Sequence, residues 1–175
     1  MSLLHIYTYK SKYLRRKSLP VDKISDDIKS LVDDMTETLR SKPGLGLAAP
    51  QIGKNIRIIV IESRGVKDEE GNVVYEHIPL KILINPEIVS SSKEKIEMEE
   101  GCFSVPNLFG PVIRPKKIKV IARDIKGKNI KLNTGGLLSR VIQHEIDHLD
   151  GIVFTDLIND KKKIRKLDIE SEIQG

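Results

Sequence analysis

The chain has 175 residues, 39% hydrophobic and 31% charged, with one cysteine and a net charge of +5. Recurring apolar segments exclude a disordered chain, and a lone cysteine excludes an internal disulfide. No apolar run is long enough to cross a bilayer. Met1 to Tyr9 lacks the basic start, apolar middle and small-residue cleavage site of a signal peptide. A single soluble domain over residues 1–175 is expected, located in the cytoplasm. The positive charge suits acidic partners, or solubility alone.

Near the N-terminus, Ile24, Ile28, Leu31, Val32, Met35 and Leu39 recur at three- and four-residue steps behind Ser25-Asp26-Asp27. This spacing predicts an amphipathic helix whose acidic first turn suits the helix dipole. Pro43-Gly44 stops it. The run Gly44-Leu45-Gly46-Leu47-Ala48-Ala49-Pro50-Gln51-Ile52-Gly53 is a poor helix former, and its glycines permit close backbone approach. Read alone, it is a tight turn packed against a sheet. Arg57 to Ile61 and Lys81 to Asn85 are β-branched strands, the second closed by Pro86, with Glu62 to Glu76 a surface loop or hairpin tip between them. Glu87 to Glu100 alternates loosely, as a further pair of short strands would. Gly101-Cys102-Phe103-Ser104-Val105-Pro106 breaks the pattern. Ile118 to Ala122 and Asn129 to Leu132 form two strands around a turn at Lys126-Gly127.

The segment His144-Glu145-Ile146-Asp147-His148 follows. On a helix its two histidines project from one face, one turn apart, and can hold one metal ion beside Glu145, a candidate general base. At roughly 100° per residue, Leu137 and Val141 share the histidine face, so that face is apolar and mostly buried. Asn133 or Thr134 can cap the helix and Gly151 can end it. Two ordinary core histidines remain the plain alternative. Lys161 to Leu167 is basic, with apolar positions at helical spacing. The fold class is α+β: antiparallel or mixed β-sheets packed around a central helix bearing His-Glu-x-x-His, with helices at the N- and C-terminal ends.

A hydrolytic metal site needs a third protein ligand. Cys102 lies beside acidic residues in a Gly-containing break, a poor setting for a purely structural thiol. Three motifs occur in order: Gly44-Leu45-Gly46-Leu47-Ala48-Ala49-Pro50-Gln51, Glu100-Gly101-Cys102-Phe103-Ser104 and Gln143-His144-Glu145-Ile146-Asp147-His148. Together they resemble the three motifs of the peptide deformylases, and the resemblance covers nearly the whole chain. It implies a metallohydrolase that removes the formyl group from the N-terminal formyl-methionine of newly made proteins, releasing formate. Carried over, Cys102, His144 and His148 bind the metal, and Glu145 is the catalytic acid and base. Gln51 and the backbone N–H of Phe103 face the substrate carbonyl oxygen. The metal it implies is Fe²⁺; Cys/His/His also suits Zn²⁺, Ni²⁺ or Co²⁺.

Substrate selection is expected from Leu137 and Val141 as walls of a methionine pocket, with Leu45 and Met98 as additional walls. Backbone groups of Leu45, Gly46 and Gly101 can pair with an extended peptide. Asp147 faces away from the metal, with Arg114 or Arg140 as its partner. Phe103 stands where leucine is commonest in the family, and no substrate-binding arginine is assigned after Pro106. Two rivals differ in class. A zinc endopeptidase needs a third ligand downstream of His148, for which spacing offers only Glu170. A basic RNA-binding protein would use Lys161 to Lys166 and need no metal. The resemblance instead suggests that Lys161 to Lys166 forms a helix docking on the ribosome; plain solubility is the competing reading.

Overall fold

The computed structural model describes residues 2–167. Ser25 starts helix α1 (Asp26–Arg40): its Oγ accepts from the Ile28 N–H at 3.4 Å, and Asp26 and Asp27 meet the positive end of the helix. The glycine run then forms a short strand, β1 (Gly46–Ala48), and one 3₁₀ turn, Ala49–Ile52. Strands β2 (Ile58–Lys67) and β3 (Val73–Ser91) follow as a long hairpin turning over Asp68 to Asn72. Next are β4 (Lys95–Cys102), β5 (Val105–Pro115), β6 (Lys117–Arg123) and β7 (Asn129–Gly135). Helix α2 (Gly136–Leu149) and strand β8 (Arg165–Lys166) complete the described chain.

The strands form a five-stranded sheet, β1-β2-β3-β6-β7, and a three-stranded one, β4-β5-β8. Every pairing within them is antiparallel. Strand β2 shows why the five-stranded sheet is covered on both faces. Side chains alternate across a strand, so Ile58 and Val60 pack with Val32, Met35 and Leu39 of α1. Ile59 and Ile61 pack with Val141, Ile142, Ile146 and Leu149 of α2. The expected mixture of antiparallel sheets and helices is present, and α1 has the predicted position.

Several local expectations are corrected. Asn133 and Thr134 do not cap α2; they pair with Lys119 and Ile118 in the sheet, and the helix starts directly after Gly135 without a side-chain cap. The glycine run is an edge strand, because three of its residues pair with Ile59 to Ile61. Glu62 to Glu76 is mostly ladder, since both hairpin strands continue well beyond the apolar runs that announced them. The strand at Lys81 to Asn85 does not close at Pro86. It passes through an irregularity where Asn85 takes φ 53° and its side chain holds Val21 by two 2.8 Å hydrogen bonds.

The basic segment also departs from its expected helix. Lys161–Lys163 makes a single 3₁₀ turn begun by Asp160, and Arg165–Lys166 pairs with Leu108 and Phe109 of β5. Adjacent like charges give a helix little support, whereas Ile164 packs with Val105, Val153 and Phe154 and draws the backbone to the sheet. Residues 168–175 lie outside the described residues, and with them Glu170.

Ile59 is fully buried between sheet and α2. Ile59→Ala should destabilise the fold by about 2–5 kcal/mol, the usual cost of emptying such a site, read from denaturant titration.

Candidate active site

Helix α2 is buried on almost every side, and His144, Glu145 and His148 lie within it. Cys102 ends β4, at the tight connection where it pairs with Val105 of β5. The break seen in the sequence is therefore a hairpin turn, and it aims the thiol at the helix. Ligand atoms of Cys102, His144 and His148 all lie within 4.8 Å of one another, and Cys102 Sγ is 3.2 Å from His148 Nε2. The two imidazole centroids are 4.9 Å apart, nearly perpendicular. A thiolate and two imidazoles are borderline-soft donors suited to a divalent transition metal. These three residues could hold such an ion.

Glu100 fixes the geometry around them. Its carboxylate accepts from Arg114 Nε at 2.6 Å and Nη2 at 3.0 Å, and from Arg140 Nη1 at 2.6 Å. It also meets His144 Nδ1 at 2.8 Å, which leaves Nε2 as that ring's remaining ligand atom. Arg114 Nη1 continues to Asp147 at 2.7 Å, so Asp147 does pair with an arginine, as expected. Arg140 instead serves Glu100 and the carbonyls of Val112 and Ile96. Although burial opposes its ionisation, the bonds from His144 and Arg114 hold the Glu100 carboxyl well below the usual range. Sequence reasoning gave Glu100 no role. The signal lay in its place two residues before the cysteine, within the motif.

Glu145 is different. Burial pushes its carboxyl up to about 7, and its Oε2 is buried with no hydrogen-bond partner among the described residues. The other oxygen lies against β1: a Cβ on Gly46 would meet Oε1 at 2.4 Å. Glycine at position 46 is thus required by close approach. Gln51 is anchored by the Ala48 N–H, which donates to Oε1 at 2.7 Å. Its Nε2 lies 3.2 Å from Ser104 Oγ and 3.6 Å from Cys102 Sγ, pointing at the thiol. Burial depresses His148, whereas His144 is raised against burial by Cys102 and Glu100.

A cavity of about 550 Å³ opens beside these groups. Leu45, Gly46, Gln51, Gly101, Cys102, Phe103, Leu137, Val141, His144 and Glu145 all line it, together with Met98. His148 lies behind them, fully buried. The expected metal, catalytic and substrate-binding residues thus lie together here, with His148 just behind the cavity wall. Tyr75 and Phe109 also line the cavity and were not anticipated. Tyr75 lay in a stretch read as surface loop or hairpin tip, with no local signal to mark it.

The match to known proteins extends this picture along the chain. Residues 3–164 match the family model described as polypeptide deformylase. The chain belongs to the polypeptide deformylase family. A peptide deformylase from Salinibacter ruber is 39% identical over 99% of the chain and 90% of the relative. One from Picosynechococcus is 44% identical, covering 90% of the chain and 80% of the relative. The crystal structure of the peptide deformylase from Ehrlichia chaffeensis superposes with a TM-score of 0.81 at 42% identity, covering 93% of this chain and 91% of that one. Deformylases are metal-dependent hydrolases that remove the N-formyl group from nascent peptides, and the chain is an enzyme of this family. Neither the endopeptidase nor the RNA-binding reading accounts for these matches.

Glu100→Ala would leave the buried Arg140 with two backbone carbonyls but no counter-charge, and Arg114 with Asp147 alone. Removing one partner from a buried ionic network should cost about 3–5 kcal/mol, measured by denaturant titration. A loss below about 1 kcal/mol, typical of an exposed pair, would contradict this central role.

Proposed function

We propose that Cys102, His144 and His148 hold one divalent metal ion, and that Glu145 works beside it to hydrolyse the formyl amide of formyl-methionyl nascent chains. The observation that carries this reading is the meeting of three ligand atoms from two distant segments, within 4.8 Å, next to a buried unpartnered carboxylate oxygen. Fe²⁺ is the native ion implied by the resemblance; the donors also accommodate Zn²⁺, Ni²⁺ and Co²⁺. Bound there, a divalent ion supplies Lewis acidity and makes hydroxide available from water near neutral pH.

The chain's own groups do the rest. Glu145, with a carboxyl poised near neutrality, takes the proton from the attacking water. It returns that proton to the amine nitrogen as the C–N bond breaks, leaving formate and a free N-terminal methionine. Gln51, immobilised through its carbonyl by Ala48, offers its amide N–H to the charge that develops on the formyl oxygen. The Phe103 N–H supplies a second donor. Leu137 and Val141 wall the pocket for the methionine side chain.

Peptide backbone would enter between two sheet edges. Both β1 and β4 are terminal strands in their sheets, and both border the cavity. The Leu45 carbonyl already accepts from the Glu62 N–H at 3.1 Å, while the Leu45 N–H has no backbone partner among the described residues. Pairing there uses the N–H, with Gly46 and Gly101 completing an added strand.

The catalytic unit is a single domain over residues 1–175, working in the cytoplasm. No helix among the described residues is long and apolar enough to cross a membrane. Contact with the ribosome through Lys161 to Lys166 rests on this segment's charge and on the nature of the substrate. The surface offered for it would be a basic turn and a short strand.

Glu145→Ala should retain about one equivalent of metal yet lose formate release from formyl-Met peptides, because Glu145 moves protons and is no ligand. Near-normal turnover would refute the mechanism. Exchanging Lys162 and Lys163 together for Glu should weaken ribosome co-sedimentation at low salt while turnover on a short formyl-Met peptide holds. Unchanged co-sedimentation would leave the charge as a surface property.

A further inference from the structure

Beyond Glu62, whose N–H still donates to the Leu45 carbonyl, strand β2 pairs among the described residues only with β3. Strand β3 meets β6 only from Ile84 onward. Residues 64–67 and 73–77 therefore form a two-stranded arm projecting past the sheet, with Ser63 and Ile78 still buried at its base. It carries exposed Val66, Val73, Val74 and Tyr75, an apolar load with no evident use in the core.

The arm reaches the active site. Tyr75, 43% exposed, lines the same cavity as Val141, Leu137 and Met98. This part of β3 passes the start of α2: a Cβ built on Gly136 would stand 3.9 Å from Oε2 of Glu76, the neighbour of Tyr75. Gly136 and Leu137 form the first turn of α2, and Leu137 precedes His144 by two turns, roughly 10 Å along the axis. The proposed methionine pocket runs along that stretch, past Val141. Tyr75 thus stands at the end remote from the histidines and Glu145.

We propose that Tyr75 is a specificity-determining residue, closing the far end of the first-residue pocket and limiting the length of the side chain it takes. The proposal rests on the reading of the cavity as the formyl-peptide site. A ring on a two-stranded arm is well suited to the task. It presents a broad apolar surface, while a two-stranded ladder beyond the body of the sheet can yield slightly to admit substrate.

The test compares wild type, Tyr75→Ala and Tyr75→Phe in metal-loaded enzyme, on two formyl tripeptides differing only in the first residue. One begins with formyl-norleucine, close to methionine in length; the other with formyl-2-aminooctanoic acid, two methylenes longer. Wild type should prefer the shorter residue by kcat/KM. Tyr75→Ala should shift that ratio towards the longer residue by about tenfold or more, within the range that single apolar contacts provide. Tyr75→Phe should keep the wild-type ratio, because the ring and not the hydroxyl is the wall. An unchanged ratio in Tyr75→Ala, or an equal shift in Tyr75→Phe, would overturn the assignment while leaving the deformylase reading intact. Absence of formate release from the norleucine peptide by wild type would overturn both.

Discussion

The buried carboxylate of Glu100 is the interaction on which the rest of the site depends. It sits on β4, two residues before the thiol, and receives Arg114 from β5 and both Arg140 and His144 from α2. One anion thereby ties the hairpin that carries Cys102 to the helix that carries the histidines. Burial of so many charged groups is tolerable only because they satisfy one another. Asp147 extends the network from the helix side and Arg140 reaches two backbone carbonyls of the hairpin. The orientation of His144 is one consequence of this lattice.

Around it, two kinds of close approach define the chemistry. Gly46 lets a carboxylate lie against the backbone of an edge strand, where any larger residue would displace it. Gly101 does the same for the Phe109 ring, whose carbon would stand 2.5 Å from an added Cβ. The glycines are thus spacing elements, and they place two sheet edges either side of a cavity lined by the reactive groups. Burial outweighs the nearby His144 and Arg114 and lifts Glu145 towards neutrality, while its neighbour on the helix is engaged by Glu100. Adjacent residues on one helix acquire opposite electrostatic settings from what faces them.

Much of this was legible in the residues. The histidine spacing, the apolar face with Leu137 and Val141, and the isolated Cys102 all announced themselves through local pattern. Strand β2 was legible because both of its faces are buried, which gives a continuous β-branched run. What escaped was set by pairing partners distant in sequence. Strand β5 holds Pro106, Pro111 and Pro115, poor strand signals, yet it pairs along β4 from Lys95 to Cys102. Asn133 and Thr134 have the chemistry of caps, but the ladder with β6 claims their backbone first. The lysine-rich end has helical spacing, but Ile164 and the edge of β5 offered its backbone a better partner. Tyr75 belongs to the same class: nothing local distinguishes an arm that covers a cavity from one that reaches into solvent.

The distribution of the three ligand atoms between the sheets has a mechanical meaning. Cys102 belongs to the three-stranded sheet, while both histidines ride on a helix packed against the five-stranded one. An ion grasped by all three would be a staple between the two layers, closing a long stretch of chain in the folded state alone. Such a link favours the folded ensemble by the ion's affinity for it. Occupancy of the centre and cohesion of the protein would then be one quantity seen from two sides. Stripping the ion would loosen the seam between the two sheets.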